Sequence, residues 1–295
     1  MKKLMIIINP AAGRSGYKEN LGEALFVLSR GGYVPTLFFT EKAGDAGALA
    51  AAHGAGFDVV ACLGGDGTLS DMLSGLMRLP SPPPVGYFPM GTANDVATTL
   101  GLPKNDTVGA ARRIVKGTPH SFDVGGFGAD GYFAYVAAFG AFTEVSYATP
   151  QNQKKTWGHL AYVLQGMAQL PKIEAVHAVV EHDGGTEEGS FLYGSMSNST
   201  SVAGIVKLPE SMVCLGDGES ELVLVRNPQT LTGFGDIVNS VLSQRFDNEN
   251  LLILHTKRAR FTFDKPIAWT RDGEEGGKFQ TLTLCNYHAP VSLIF

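Results

Sequence analysis

A chain of 295 residues with 44% hydrophobic and 17% charged residues can bury two ordinary cores, which excludes a disordered protein. The net charge of −5, with no long Lys/Arg run, excludes a broad nucleic-acid-binding face and a strongly basic membrane-docking surface. No apolar run reaches the roughly 18–20 residues needed to cross a bilayer. The opening Met1-Lys2-Lys3 and the apolar run after it mimic a signal peptide, but the run stops at Asn9-Pro10 and reads as a buried strand. Cys62, Cys214 and Cys285 lie far apart in apolar surroundings and read as reduced core thiols of a cytoplasmic protein.

Short apolar runs alternate with helical patterns through the first 120 residues. Strands are predicted over 4–8, 34–39, 57–63 and 85–88, and helices over 18–30, 45–53, 69–79, 93–100 and 108–115. Wholly apolar, β-branched strands in βαβα order imply an α/β fold, a doubly wound parallel sheet covered on both faces. Ligands of such sheets bind where the strands end. Asn9-Pro10-Ala11-Ala12-Gly13, Thr40, Gly64-Gly65-Asp66-Gly67-Thr68 and Met90-Gly91-Thr92-Ala93-Asn94-Asp95 all follow strands and gather at that edge. From about Ser121 strand-like runs dominate, over 133–139, 173–181, 191–196, 221–225, 251–254, 260–263 and 280–284. Gly/Asp turns separate them, and helices are predicted over 160–170 and 232–242. The expected organisation is a nucleotide-binding α/β domain over 1–121 and a mostly β domain, a sandwich, over 122–295.

The glycine-rich run at 64–68 follows a strand and precedes a helix, so free N–H groups and a positive dipole end face an anion such as phosphate. Asp66 would repel phosphate unless a divalent cation or its water stood between them. A surface turn whose Asp caps a helix is the competing reading. No Gly-x-x-x-x-Gly-Lys-Ser/Thr occurs, so a P-loop is absent. Gly126-Phe127-Gly128-Ala129-Asp130-Gly131 satisfies Gly-x-Gly-x-x-Gly literally, but a strand-like run follows where a dinucleotide site needs a helix. It reads as a hairpin turn.

Three ordered motifs, Asn9–Gly13, Gly64–Thr68 and Gly91-Thr92-Ala93-Asn94-Asp95, resemble the diacylglycerol kinase catalytic-domain family, whose superfamily includes NAD kinases and phosphofructokinases. Asp123, the run 133–140 and Asp272-Gly273-Glu274 extend the resemblance through nearly the whole chain. It implies an ATP site at Asn9, Pro10, Ala11, Ala12, Gly13, Thr40, Gly65, Asp66, Gly67, Thr68, Leu69, Ser70, Asp71 and Thr92. Ser70-Asp71 stands where the family often has Asn-Glu. Glu274 is implied as the catalytic base for a lipid hydroxyl, with Asp66 beside it in the catalytic set. A water-mediated Mg²⁺ network is implied for Asp66, Asp95 and Asp123, with helix capping as the alternative for Asp95. Asp217 is implied to hold a structural Mg²⁺ with the carbonyls of Cys214 and Glu219, a hairpin turn being the alternative.

An acceptor lipid would meet the aromatic and aliphatic stretch Tyr132, Phe133, Tyr135, Phe139, Phe142, Tyr147, Trp157, Tyr162, Leu164 and Met167, flanked by Lys154, Lys155 and His159. The activity implied is an ATP- and Mg²⁺-dependent kinase for diacylglycerol or a related lipid, working transiently at the inner face of the membrane. An NAD kinase is the first alternative, disfavoured because no suitably placed Asn-Glu follows the loop; an inactive nucleotide-binding regulator is the second. The family continues past its last β run with a segment that returns to the first domain. Here the chain ends at Phe295, so either that element is lacking or the final strand takes another course, which leaves homodimerisation open.

Overall fold

The computed structural model describes residues 1–12, 17–92, 94–140, 174–202, 206–209, 212–228 and 230–295. The first half carries β1 (Lys2–Ile8), α1 (Tyr17–Arg30), β2 (Tyr33–Phe39), α2 (Asp45–His53), β3 (Val59–Gly64), α3 (Asp66–Leu76), β4 (Val85–Pro89), α4 (Asp95–Thr99) and α5 (Thr107–Lys116). All four strands are parallel, in the order β4-β3-β1-β2. Alternation along each strand divides the core. Met5, Ile7, Val60, Cys62, Val85 and Tyr87 pack with residues of α2 and α3. Leu4, Ile6, Ile8, Val59, Ala61 and Phe88 pack with residues of α1 and α5. Period-two alternation between two apolar layers is why these strands read as unbroken hydrophobic runs.

Two boundaries differ from those predicted in a way that matters. α3 begins at Asp66, with extended Gly65 as its N-cap, so the Asp-Gly-Thr of the glycine-rich run forms the first helical turn. α4 is reduced to Asp95–Thr99. α2 and α3 also approach backbone to backbone: a Cβ added at Gly75 would lie 2.1 Å from the Gly47 carbonyl oxygen.

The second half carries β5 (Pro119–Phe127), β6 (Gly131–Phe133), β7 (Val136–Gly140), β8 (Val176–His182), β9 (Gly185–Ser197), β10 (Ser201–Val202), β11 (Val206–Lys207), β12 (Ser220–Arg226), α6 (Leu231–Ser243), β13 (Leu251–Thr256), β14 (Arg258–Arg271) and β15 (Glu274–Ile294). The Gly-x-Gly-x-x-Gly decoy is the β5–β6 hairpin, with Gly128 at φ 65. The strand expected over 133–139 is split between β6 and β7, and the helix expected over 160–170 lies outside the described residues. Strands run antiparallel in the order β13-β12-β9-β7-β14-β15, with β8 spanning β9 and β14. Phe139, Phe261, Phe263 and Trp269 form an aromatic core, with Trp269 5.0 Å from both Phe139 and Phe261.

The two halves share one hydrogen-bonded ladder rather than separate sheets. Residue 121, where the sequence texture changes, lies within β5. The final strand takes another course and itself reaches the first half: Val291–Ile294 of β15 pair with β5, and Leu293 pairs in parallel with Val85 of β4. Of the three thiols only Cys62 is a core residue. Cys214, beside the 215–218 turn, is exposed, and Cys285, within β15, is half-buried.

Two outcomes follow. Gly75→Ala forces α2 from α3 and should cost at least about 1–3 kcal/mol in denaturant unfolding. Glu221 on β12 is 1% exposed, and burial pushes its carboxyl from 4.5 up to about 8, with Asp217 adding to the rise. A proton held more tightly in the folded state stabilises fully below about pH 4.5 and less as pH rises toward about 8. The urea midpoint of the wild type, measured against Glu221→Gln, should therefore fall across that window; a constant difference contradicts the assignment.

Candidate active site

The site begins where two glycine-bearing loops cross. A Cβ on Gly91 would lie 2.5 Å from the Gly65 Cα, and one on Gly65 3.2 Å from the Gly91 Cα. Only glycine permits that approach. The crossing is locked by Asn94, buried in the left-handed conformation at φ 53. Its side chain accepts from the Gly91 N–H at 2.9 Å and donates to the Gly91 carbonyl at 2.8 Å. Asn tolerates this backbone region better than most residues, and its short amide closes the turn.

Asp66 lies beneath the crossing. Its carboxylate accepts from the Asp95 N–H at 2.9 Å and the Val96 N–H at 3.4 Å, with the Tyr87 hydroxyl at 3.4 Å. Burial raises its pKa while the two amides oppose the rise. Asp66 thus ties the first turn of α3 to the start of α4. Asn9 makes the matching tie on the other side: its amide donates to the Thr68 hydroxyl at 3.0 Å, and its oxygen accepts from the Ala11 N–H at 2.9 Å.

The second half enters through the tight β14–β15 turn. Asp272 and Gly273 have φ 49 and 83, and Glu274 follows. The Asp272 carboxylate is buried and accepts from the N–H groups of Ala134 (2.6 Å), Tyr135 (3.0 Å) and Val136 (3.0 Å). The Ser70 hydroxyl of α3 reaches the same carboxylate, so this one side chain joins the turn to both halves. Desolvation drives its pKa upward against these donors. The turn sets Glu274 on the N-terminal turn of α3, where a Cβ on Gly67 would meet Glu274 Oε1 at 2.7 Å.

Between the halves lies a cleft of about 800 Å³. Asn9, Pro10, Ala11, Thr40, Gly67, Thr68, Ser70, Asp71 and Glu274, all named from the sequence, line it. Ala12, Gly65, Asp66, Leu69 and Thr92 do not line it, and Gly13 lies outside the described residues. Leu69 is a core residue, since its place on α3 turns it toward β3. Lys42, Arg78 and Arg271 also line the cleft and went unremarked in the sequence. Two signals were there: Arg78 follows the end of α3 within two residues, and Arg271 immediately precedes Asp272-Gly273-Glu274.

Of the carboxylates expected in a water-mediated Mg²⁺ network, Asp66 and Asp95 lie together at the start of α4 and both act on Tyr135. Among the described residues no group of three or more His, Cys, Asp or Glu side chains is placed to hold a metal ion. Asp123 instead organises turns of the second half, accepting from Gly218 N–H (2.7 Å), Asn286 Nδ2 (3.0 Å) and Ala289 N–H (2.6 Å). Asp217 accepts from the Glu219 N–H at 3.0 Å, an Asx turn, and Cys214 lies beside that turn. Of the proposed acceptor wall, Phe133 and Phe139 belong to the aromatic core and Tyr132 lines the cleft. Phe142, Tyr147, Lys154, Lys155, Trp157, His159, Tyr162, Leu164 and Met167 lie outside the described residues. No described helix is long and apolar enough to cross a membrane.

The diacylglycerol kinase catalytic domain model matches residues 3–127. A diacylglycerol kinase of Bacillus subtilis (strain 168) is 31% identical over 280 residues, covering 94% of this chain and 91% of that protein. One from Staphylococcus aureus (strain bovine RF122 / ET3-1) is 35% identical over 290 residues, covering 94% and 87%. Among solved structures, a Bacillus anthracis str. Sterne protein matches with a TM-score of 0.83 at 23% identity, over 100% of this chain and 95% of that one. An NAD kinase from Archaeoglobus fulgidus in complex with ATP matches at 0.53 and 12% identity, over 99% and 93%. The structural likenesses show a shared fold of mixed strands and helices. With relatives above 30% identity along nearly their whole length, the chain belongs to the diacylglycerol kinase family.

Proposed function

We propose that the protein is an ATP-dependent lipid kinase that transfers the γ-phosphate to a hydroxyl of diacylglycerol or a related lipid. The observation that carries this reading is the setting of Glu274, from the second half, against Gly67 in the first turn of α3, at one cleft with the Asn9–Ala11 loop and Thr68. A helix N-terminus and the cations Lys42, Arg78 and Arg271 suit a polyphosphate, and small residues let it approach the backbone. ATP would rest on Asn9, Pro10, Ala11, Thr40, Gly67 and Thr68. Glu274 would take the proton of the lipid hydroxyl as its oxygen bonds to the γ-phosphorus, and the bond to the β-phosphate oxygen breaks to leave ADP. Mg²⁺ would be held by the nucleotide's phosphates and, through water, by Asp66 and Asp95, which meet at the start of α4. Such a kinase would work in the cytoplasm, transiently at the inner face of the membrane where its acceptor is exposed. The finer two-domain reading, nucleotide domain and lipid domain meeting at the cleft, belongs to the same proposal.

Labelled-ATP transfer across a lipid panel that includes NAD tests this reading. Wild type should form a lipid phosphate, and Glu274→Gln should lose about 10²–10⁴-fold in kcat with the KM for ATP little changed. Phosphorylated NAD in place of lipid, or full activity in the variant, overturns it.

Asp272→Ala leaves three buried N–H groups without their acceptor and frees the turn that carries Glu274. Turnover should fall at least about tenfold, with a lowered Tm, while calorimetric nucleotide affinity falls less, because the Ser70 hydroxyl is the first-half group that Asp272 is seen to hold. Weakened nucleotide binding with normal turnover would contradict the positioning role.

A further inference from the structure

The turn that carries Glu274 carries a second charged group. Asp272 and Gly273, at φ 49 and 83, form the two-residue connection between β14 and β15, with the pair of positive φ angles that a type I′ hairpin requires. Arg271 and Glu274 flank it as a directly opposed pair. Opposed residues of antiparallel strands share a face, with their Cβ atoms about 5 Å apart. The hairpin that sets Glu274 against Gly67 of α3 thus brings a guanidinium beside the carboxylate.

Opposite charges so placed ordinarily pair, and these do not. Among the described residues no carboxylate lies within ion-pair distance of Arg271, although Asp130, Asp272 and Glu274 all line the same cleft. Packing sets the guanidinium aside instead. Its Cζ stands 5.9 Å from the centre of the buried Phe127 ring. A Cβ on Gly131 would lie 3.1 Å from Arg271 Nη1, so the glycine of the β5–β6 hairpin leaves the guanidinium its place. A ring face steadies such a cation and leaves its N–H edge free to donate.

The other cations of the cleft start farther from the reacting end. Lys42 follows β2, which lies two strands from β3, about 10 Å away at the usual strand spacing. Arg78 stands beyond the end of α3, more than about 15 Å from its first turn at the rise of an α-helix. Arg271 alone of the three shares a turn with the proposed base.

We propose that Arg271 is a catalytic residue whose guanidinium donates to the equatorial oxygens of the γ-phosphoryl group while that group passes from ATP to the lipid hydroxyl. This deepens the lipid-kinase reading and rests on it. As the acceptor oxygen bonds to phosphorus its proton goes to Glu274, and the bond to the β-phosphate oxygen breaks to leave ADP. Negative charge spreads over the equatorial oxygens during that passage. A planar guanidinium can bond two of them at once, which a single ammonium point charge does less well. Arg271 keeps its own proton throughout.

The test compares wild type, Arg271→Ala and Arg271→Lys in the transfer of labelled phosphate from ATP to dioctanoylglycerol in mixed micelles. Arg271→Ala should lose at least about 10²-fold in kcat, with the KM for ATP and for the lipid each within about threefold of wild type. Arg271→Lys, which keeps the charge but not the fork, should recover no more than about a tenth of wild-type turnover. Added guanidinium ion, below denaturing concentration, should raise the turnover of Arg271→Ala and leave that of Arg271→Lys unchanged. Lost packing on Phe127 would not respond in that way. Calorimetry gives a reading that needs no acceptor. ADP with aluminium fluoride, a mimic of the phosphoryl group in transfer, should bind wild type at least about tenfold more tightly than ADP alone, and Arg271→Ala no more tightly than ADP. Melting curves establish that each variant is folded, and Arg271→Lys carries both measurements if Arg271→Ala is not. A raised KM for the lipid with unchanged kcat assigns Arg271 to the acceptor, and a raised KM for ATP with unchanged kcat assigns it to ground-state binding; either overturns the proposal. So does equal tightening by the fluoride in wild type and variant. If the wild type phosphorylates no lipid, the kinase reading fails separately, and the fluoride comparison still decides the role of Arg271.

Discussion

One buried carboxylate holds the working parts in register. Asp272 draws three successive backbone N–H groups and the Ser70 hydroxyl onto a single side chain. The amides of Ala134 and Tyr135 come from the segment joining β6 to β7, that of Val136 opens β7, and the hydroxyl comes from α3. Burying a carboxylate is costly in itself, and multiple donors are what make it tolerable. Remove the acceptor and Glu274, two residues on, loses its fixed position against Gly67. The left-handed backbone at Asp272 and Gly273 is strain accepted for that placement.

The first half solves a different problem, bringing three strand-end loops close together. Gly65 and Gly91 let two loops cross at van der Waals contact, and Asp66 and Asn9 then tie the loops together. Asp66 is therefore more than a charge near phosphate. By accepting the first amides of α4 it sets the floor on which the glycines cross, so its removal would disturb the loop before any metal or nucleotide were considered.

How much of this could be read from the residues follows from the range of each interaction. Period-two apolar runs such as 4–8 and 57–63 gave the parallel sheet because burial on both faces is written into each strand. Asn9, Thr68 and Glu274 were legible as motif members, and the cleft does gather them. Asp123 was not legible in its structural role, since its donors Gly218 and Ala289 are distant in sequence and are backbone groups that any residue could supply. The start of α3 was read three residues late because glycine and aspartate resemble a loop, whereas here they cap and open a helix. Asn94 hid for a similar reason: a left-handed clamp has no signature beyond its residue type.

The course of β15 connects these points. It begins at Glu274, crosses the aromatic core through Leu282 and Leu284, and ends with Leu293 beside Val85 of β4. A single strand therefore carries the proposed base at one end and is stitched to the parallel sheet of the first half at the other. Along the way it pairs with β14 and β5 and offers Ala289 to Asp123. The stiffness that sets Glu274 against α3 is thus supplied twice, locally by Asp272 and along the strand by its pairing. A long strand with register shifts at its bends can follow both sheets where two short ones would need a loop at the junction. That continuity explains why the halves share one ladder: a base that must meet a helix tip across a cleft is best held by backbone that both sides already own.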